Sequence, residues 1–196
     1  MNVLITGCGR SATRYCAALL HRCKVNIGHE EIRGRGTVSW IHAPMYNDFQ
    51  LVLRQIRNPR LVASSFGLLA KQASSWNLAN AVIKRYFDVD IPDHEAYPLE
   101  AGVVYTYFWN KYLDDKVDYS YRIEDMASEL PKILSLMNID TAQSVINSAI
   151  VTTPRTGDGM GRKGFQYYSW GDIEKVPYGV ELIEFADKWG YLNNGE

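Results

Sequence analysis

Short apolar blocks alternate along this chain with longer stretches in which apolar positions recur every three or four residues. Val3-Leu4-Ile5-Thr6 is an unbroken run of strand length. Behind it, Cys16, Leu19, Leu20 and Cys23 fall at helical spacing and predict a helix over Ser11–Cys23. Val25–Gly28 and Thr37–Ile41 read as two further short strands, the second reached through the turn Gly34-Arg35-Gly36. Leu51–Arg57 is another strand, stopped by Asn58-Pro59, and Pro59 opens a helix that the pattern carries to about Gln72. Residues 74–98 hold a short helix over Ala79–Tyr86 and then a polar, proline-containing loop. Leu99–Leu113 reads as a helix, Val117–Ile123 as a strand and Met126–Met137 as a helix. Thr152–Gly171 carries Gly157, Gly159, Gly161, Gly164 and Gly171 and reads as a long loop, followed by a last helix over Tyr178–Trp189.

Strands that alternate with helices predict an α/β fold: three layers, α/β/α, around a mostly parallel central sheet, in one domain spanning residues 1–196. Ligands of such folds collect beyond the carboxyl ends of the strands, where Gly7–Arg14 and Arg57–Ser65 both stand. A net charge of -1 argues against a broad nucleic-acid surface, so any anion site has to be a local cluster of basic residues. No apolar stretch reaches the roughly 20 residues of a membrane span. Met1-Asn2 leads directly into the first strand with no room for a signal peptide, so a soluble cytoplasmic protein is expected. The three cysteines form no CxxC pair, and His21, His42 and His94 have no ligand spacing; no metal is expected.

The sequence Gly7-Cys8-Gly9-Arg10-Ser11-Ala12-Thr13-Arg14 joins the first strand to the first helix. A glycine-bearing turn at that position lets backbone N–H groups converge on an anion, and the helix N-terminus adds partial positive charge. Ser11 and Thr13 add hydroxyl donors, while Arg10 and Arg14 add planar forks that match phosphate or sulfate oxygens. The plainer alternative is a helix start capped by Ser11. The pattern GxxxxGK[ST] is absent, which counts against an ATP-binding loop, and Gly7-Cys8-Gly9 followed by Ala12 is weak evidence for a dinucleotide fold.

Arg57-Asn58-Pro59, with Ser65 eight residues after Arg57, supplies a second arginine at a strand end and a serine on the following helix. Taken together, the two stretches resemble the PAPS-dependent sulfotransferases, whose donor, 3'-phosphoadenosine-5'-phosphosulfate, is anionic at both ends. The resemblance assigns Gly9, Arg10, Ser11, Ala12, Thr13 and Arg14 to the 5' end, as a P-loop-like phosphosulfate turn with Arg10 where most members have lysine. It assigns Arg57 and Ser65 to the 3'-phosphate. Gly161-Arg162-Lys163-Gly164 is similar to the family's late Arg-Lys-Gly loop, which implies that Arg162, Lys163 and Gly164 close over the same phosphate. Arg122-Ile123-Glu124-Asp125-Met126 is a weaker echo, with Ile123 where members often have a tyrosine beside adenine and Tyr121 as a substitute. The resemblance runs from about residue 2 to residue 172, with a poorly matched middle. The chain is short for the family, which implies an acceptor pocket that is reduced or completed by another subunit.

The implied reaction is sulfuryl transfer from PAPS to a hydroxyl of a glycan or small molecule, releasing PAP, with no metal. Arg10 stands at the leaving phosphate in this reading. A general base is needed, and Glu30 is the first candidate in Asn26-Ile27-Gly28-His29-Glu30-Glu31, followed by His29 and Glu31. The alternative is that Glu30 and Glu31 lie on a solvated turn and pair with Arg33 or Arg35. Tyr105, Phe108, Trp109 and Tyr112 share helical spacing and form either a sugar-stacking groove or, more ordinarily, a core face. Glu124-Asp125 either caps the next helix or touches the ligand. Two other classes stand beside this reading: a nucleotide kinase with a degenerate phosphate loop, and a non-catalytic nucleotide-binding protein.

Overall fold

The computed structural model describes residues 1–153 and 165–192. In chain order the elements are β1 (Val3–Thr6), α1 (Thr13–Arg22), β2 (Gly28–His29), β3 (Gly36–Val38), β4 (Leu51–Ile56), α2 (Pro59–Ser64), α3 (Phe66–Ala70), α4 (Ala73–Phe87), α5 (Pro98–Leu113), β5 (Tyr119–Arg122), α6 (Met126–Leu136), α7 (Gln143–Thr152), α8 (Trp170–Ile173) and α9 (Gly179–Lys188). Short 3-10 turns cover Ala43–Asp48 and Ile123–Asp125. These elements form two compact units, each drawn from separate segments. Residues 1–7, 11–56 and 116–153 make the first; residues 8–10, 57–115 and 165–192 make the second.

The first unit holds the sheet. Its five strands run in the order β2-β3-β1-β4-β5, and every neighbouring pair is parallel. The α/β class and the parallel sheet expected from the sequence are therefore present. β1 and β4 are buried at every position, as an interior parallel strand requires, which is why both read as unbroken apolar runs rather than alternating ones. Val3, Ile5, Leu51, Leu53 and Tyr121 pack with Leu19, Leu20 and Cys23 of α1, with Ile133 of α6 and with Ile146 and Ala149 of α7. Leu4 and Val52 join a separate cluster with Phe49. β1 pairs with β3 on one side and β4 on the other, so the chain changes direction across the sheet at β1. The turn after β1 thus stands at the topological switch point, where open parallel sheets bind ligands.

The second unit is helical. Ala63, Val103, Ile173 and Leu182, from α2, α5, α8 and α9, form one of its cores. α5 lies close against α2 because residue 102 is glycine: a Cβ there would sit 2.4 Å from the Ala63 carbonyl oxygen. Tyr105, Phe108, Trp109 and Tyr112 of α5 are all buried, so the aromatic row is core rather than a sugar groove. Tyr105 stacks on Phe66 with ring centroids 4.6 Å apart, and no helix among the described residues is long and apolar enough to cross a membrane.

Several elements differ from their sequence expectation. The helix expected from Pro59 to Gln72 breaks at Ser65, whose hydroxyl donates to the Val62 carbonyl and whose amide is shared between Leu61 and Val62. α4 begins six residues before Ala79, at Ala73. α7 and α8 were not legible in the pattern. α1 begins at Thr13 rather than Ser11, after a left-handed Ala12.

Candidate active site

The turn after β1 is built by backbone conformation before any side chain is considered. Arg10 (φ 77) and Ala12 (φ 66) are both left-handed, with Ser11 between them outside that region. A side chain in this region costs about 1 kcal/mol or more, so two in three residues mark a turn held in place by its surroundings. Alternation of this kind turns successive amides toward a common concavity, the backbone habit of anion-binding nests.

Within the first unit the turn is fastened from β4. The Gln55 side-chain amide donates to the Ser11 carbonyl at 2.6 Å and to the Ser11 hydroxyl at 3.4 Å. Tyr121 donates to the other end of that amide at 3.4 Å and lies 3.5 Å from Cys16 Sγ. Tyr121 is thus buried beneath the turn, its hydroxyl pushed well above its ordinary pKa mainly by burial, and it has no face to offer an adenine. Ser11, a helix cap only in the plainer alternative, does not cap α1 and is this anchor point. Asp125 forms an ion pair with Arg122 at 3.3 Å and makes no side-chain cap to α6.

The same unit collects the candidate base residues. His29 Nε2 lies 3.2 Å from the Thr13 hydroxyl and 3.8 Å from Glu30 Oε1. Ser39, just past β3, donates to Glu30 Oε2 at 2.9 Å, and the amides of Trp40 and Ile41 also donate to this carboxylate. Burial still lifts the Glu30 carboxyl above its usual value against those donors. Burial, helped by the Arg14 guanidinium, holds the His29 imidazole below its usual value, with Glu31 pulling weakly the other way. Glu31 itself is exposed and pairs with Arg33 at 2.8 Å, as the solvated-turn alternative required; Glu30 does not. Arg14 is exposed on the first turn of α1.

Within the second unit, Arg57 Nη1 donates to the Arg10 carbonyl at 2.9 Å, joining two motifs that lie 47 residues apart in sequence. The Gly9 amide donates to the Tyr105 hydroxyl at 2.6 Å. Asn110 donates to Cys8 Sγ at 3.1 Å, so α5 fixes two consecutive residues of the turn. Ser65 is buried at the α2–α3 break. Arg60, next to the second motif, stacks on Tyr167 with its guanidinium carbon 4.7 Å from the ring centroid. Arg162, Lys163 and Gly164 lie outside the described residues.

No family model matches the chain, and no curated protein matches it. Among solved structures it is similar to the mouse sulfotransferase SULT7A1 complexed with PAP. The identity is 14%, the match covers 95% of this chain and 88% of that one, and the TM-score is 0.49.

Three residues that hold these positions carry no sequence motif: Gln55, Tyr105 and Ser39. Tyr105 was legible as part of a helical core stripe, but its hydroxyl bond to Gly9 was not. Among the described residues no group of three His, Cys, Asp or Glu side chains is arranged to hold a metal.

Proposed function

We propose that this chain is a PAPS-dependent sulfotransferase acting on a hydroxyl of a carbohydrate or small molecule. The observation that carries the reading is the Arg57–Arg10 hydrogen bond: two motifs that each resemble an anion site in this family are tied together by a guanidinium on a carbonyl. The left-handed pair Arg10 and Ala12 supports an anion as the turn's ligand. Gly9 to Arg14 receive the 5' end of the donor and Arg57 the 3'-phosphate, with Arg162, Lys163 and Gly164 completing that end; Ser65, expected there as well, is buried with its hydroxyl proton on the Val62 carbonyl and is left out of this role. Cys8, Cys16 and Cys23 are buried and none is in a disulfide, which goes with a reducing compartment such as the cytoplasm.

In the reaction the acceptor oxygen forms a bond to sulfur while the bond from sulfur to the phosphate oxygen breaks, and PAP leaves. Arg10 stabilises the charge that develops on the departing phosphate. The acceptor hydroxyl proton goes to a base. His29 suits this task better than Glu30, because burial keeps the imidazole neutral whereas the Glu30 oxygens already accept from Ser39, Trp40 and Ile41. Glu30 then stabilises the imidazolium as it forms.

The test is thermal unfolding of the purified chain with PAP and, separately, with Mg-ATP. A ligand bound only by the native state raises the melting temperature, by an amount equivalent to about 2.7 kcal/mol at a hundred times its dissociation constant. Stabilisation by PAP and not by Mg-ATP is expected. The reverse result would assign the chain to the kinases, and no response to either would sink the nucleotide reading.

A further inference from the structure

Outside the motifs, the side chains best connected to the candidate base pair are Ser39 and His42, and neither belongs to any motif read from the sequence. Ser39 Oγ donates its proton to Glu30 Oε2 at 2.9 Å. A hydroxyl has one proton, so toward His42 the same oxygen can only accept. His42 Nδ1 lies 2.9 Å from it, and the His42 amide donates to it as well at 3.4 Å. His42 must then carry its proton on Nδ1, and the polarity of the chain is fixed: His42 to Ser39 to Glu30. Glu30 is held in the left-handed region (φ 59) while it accepts these bonds, so its carboxylate is fixed in place by the segment after β3.

The geometry points to Ser39 and His42 as positioning residues for the catalytic pair: through Ser39 they hold Glu30 as an oriented carboxylate beside His29. This rests on the sulfotransferase reading for its chemistry, but the hydrogen-bond polarity does not depend on it. The charged and titratable groups around Glu30 are His29 and Glu31 on its own turn, Arg14 beside His29 from α1, and His42 beyond Ser39. A donor that leans on the carboxylate draws electron density away from it and makes it a weaker partner for the His29 proton. Removing that donor raises the proton affinity of His29, whereas removing the carboxylate charge lowers it. A residue that merely fills space would not give opposite signs.

The experiment is a pH titration of the full 15N-labelled chain by long-range proton–nitrogen correlation, reading the tautomer and midpoint of each imidazole. In the wild-type chain His42 is expected as the Nδ1–H tautomer. Ser39→Ala is expected to move His42 toward the Nε2–H tautomer and to raise the His29 midpoint by about half a unit. Glu30→Gln is expected to lower that midpoint by about one unit, and Ser39→Thr to restore the wild-type pattern. A wild-type His42 in the Nε2–H form, or shifts of the same sign in Ser39→Ala and Glu30→Gln, overturns the proposal. The wild-type tautomer is decisive even if a variant fails to fold. PAP affinity, measured on the same samples, is expected to change less than twofold in Ser39→Ala; a larger loss places Ser39 in donor binding and also overturns the proposal. If the wild-type chain binds no PAP, the sulfotransferase reading fails while the tautomer result still decides the role of Ser39 and His42.

Discussion

In the first unit the polar groups around His29 can each gain, lose or relay a proton: His29 is hydrogen-bonded to Thr13 and lies 3.8 Å from Glu30, which accepts from Ser39, which in turn accepts from His42. In the second unit the comparable groups are Arg10 and Arg57, guanidinium groups that keep their charge throughout the physiological range, and Arg57 is fixed on the Arg10 backbone carbonyl. One arrangement suits proton transfer and the other suits holding an anion whatever the pH. On the proposed function, the contrast assigns binding and chemistry to separate parts of the chain, with the turn from Gly7 to Thr13 contributing residues to both units.

The sharpest way to break that contrast is a crossed pair of substitutions. His29→Gln is expected to lower sulfuryl transfer by about 10²–10⁴-fold, the range for losing a general base, with PAP affinity unchanged. Arg57→Glu is expected to weaken PAP by about a hundredfold or more, because it replaces a charge-assisted donor by a like charge facing the phosphate. Calorimetry with PAP, followed by turnover at saturating PAPS, separates the two effects. If both variants lose binding equally, the division of labour is wrong.

A smaller effect sharpens the comparison within the turn itself. An alanine at position 7 would put Cβ 2.4 Å from the Gln55 carbonyl oxygen and 2.6 Å from the Ser11 hydroxyl, and the backbone oxygen belongs to a buried strand that cannot retreat. At position 9 the nearest atoms are side-chain ends, Tyr105 Oη at 2.9 Å and the Leu69 methyl groups at 3.0 Å, which can yield. Gly7→Ala is therefore expected to cost about 2–3 kcal/mol of stability and Gly9→Ala about 1 kcal/mol, read as midpoint shifts in urea unfolding. Equal losses would mean that the turn is not anchored more rigidly on β4 than on α5.

What the sequence revealed of this molecule follows from how local each signal is. β1, β4 and α5 were legible because burial on every face, or on one long stripe, leaves a continuous pattern. α7 was not, because only Ile146 and Ala149 of its ten residues are buried, too few to set a period. The break at Ser65 was hidden because a serine inside an apolar helix pattern gives no sign of which carbonyl its hydroxyl takes. At the candidate site, Arg10, Arg57 and His29 could be singled out by residue type and position. Ser39, His42, Gln55 and Tyr105 could not, since each matters through hydrogen bonds that no local residue pattern announces.

The smallest effect expected is a pH dependence of stability arising in the first unit alone. His29 and His42 are both held below the ordinary imidazole value of 6.5, His29 by burial and Arg14, His42 by burial. Between 6.5 and those lowered values the unfolded chain binds more protons than the folded one, so stability falls as the pH drops through that window. Glu30 acts in the opposite sense: its raised carboxyl binds a proton in the folded state above the ordinary value of 4.5, so acidification through that range relieves the cost of burying its charge. With two imidazoles set against one carboxyl, melting temperature should decline on acidification from neutrality. The double variant His29→Gln, His42→Gln should flatten that decline. Arg57→Glu, made in the other unit, should leave the slope as it is in the wild-type chain. A wild-type protein that melts at higher temperature as the pH passes below 6.5, with that rise abolished by His29→Gln alone, would mean that the His29 imidazole is held protonated in the fold. That outcome would remove His29 as a neutral base and return the role to Glu30.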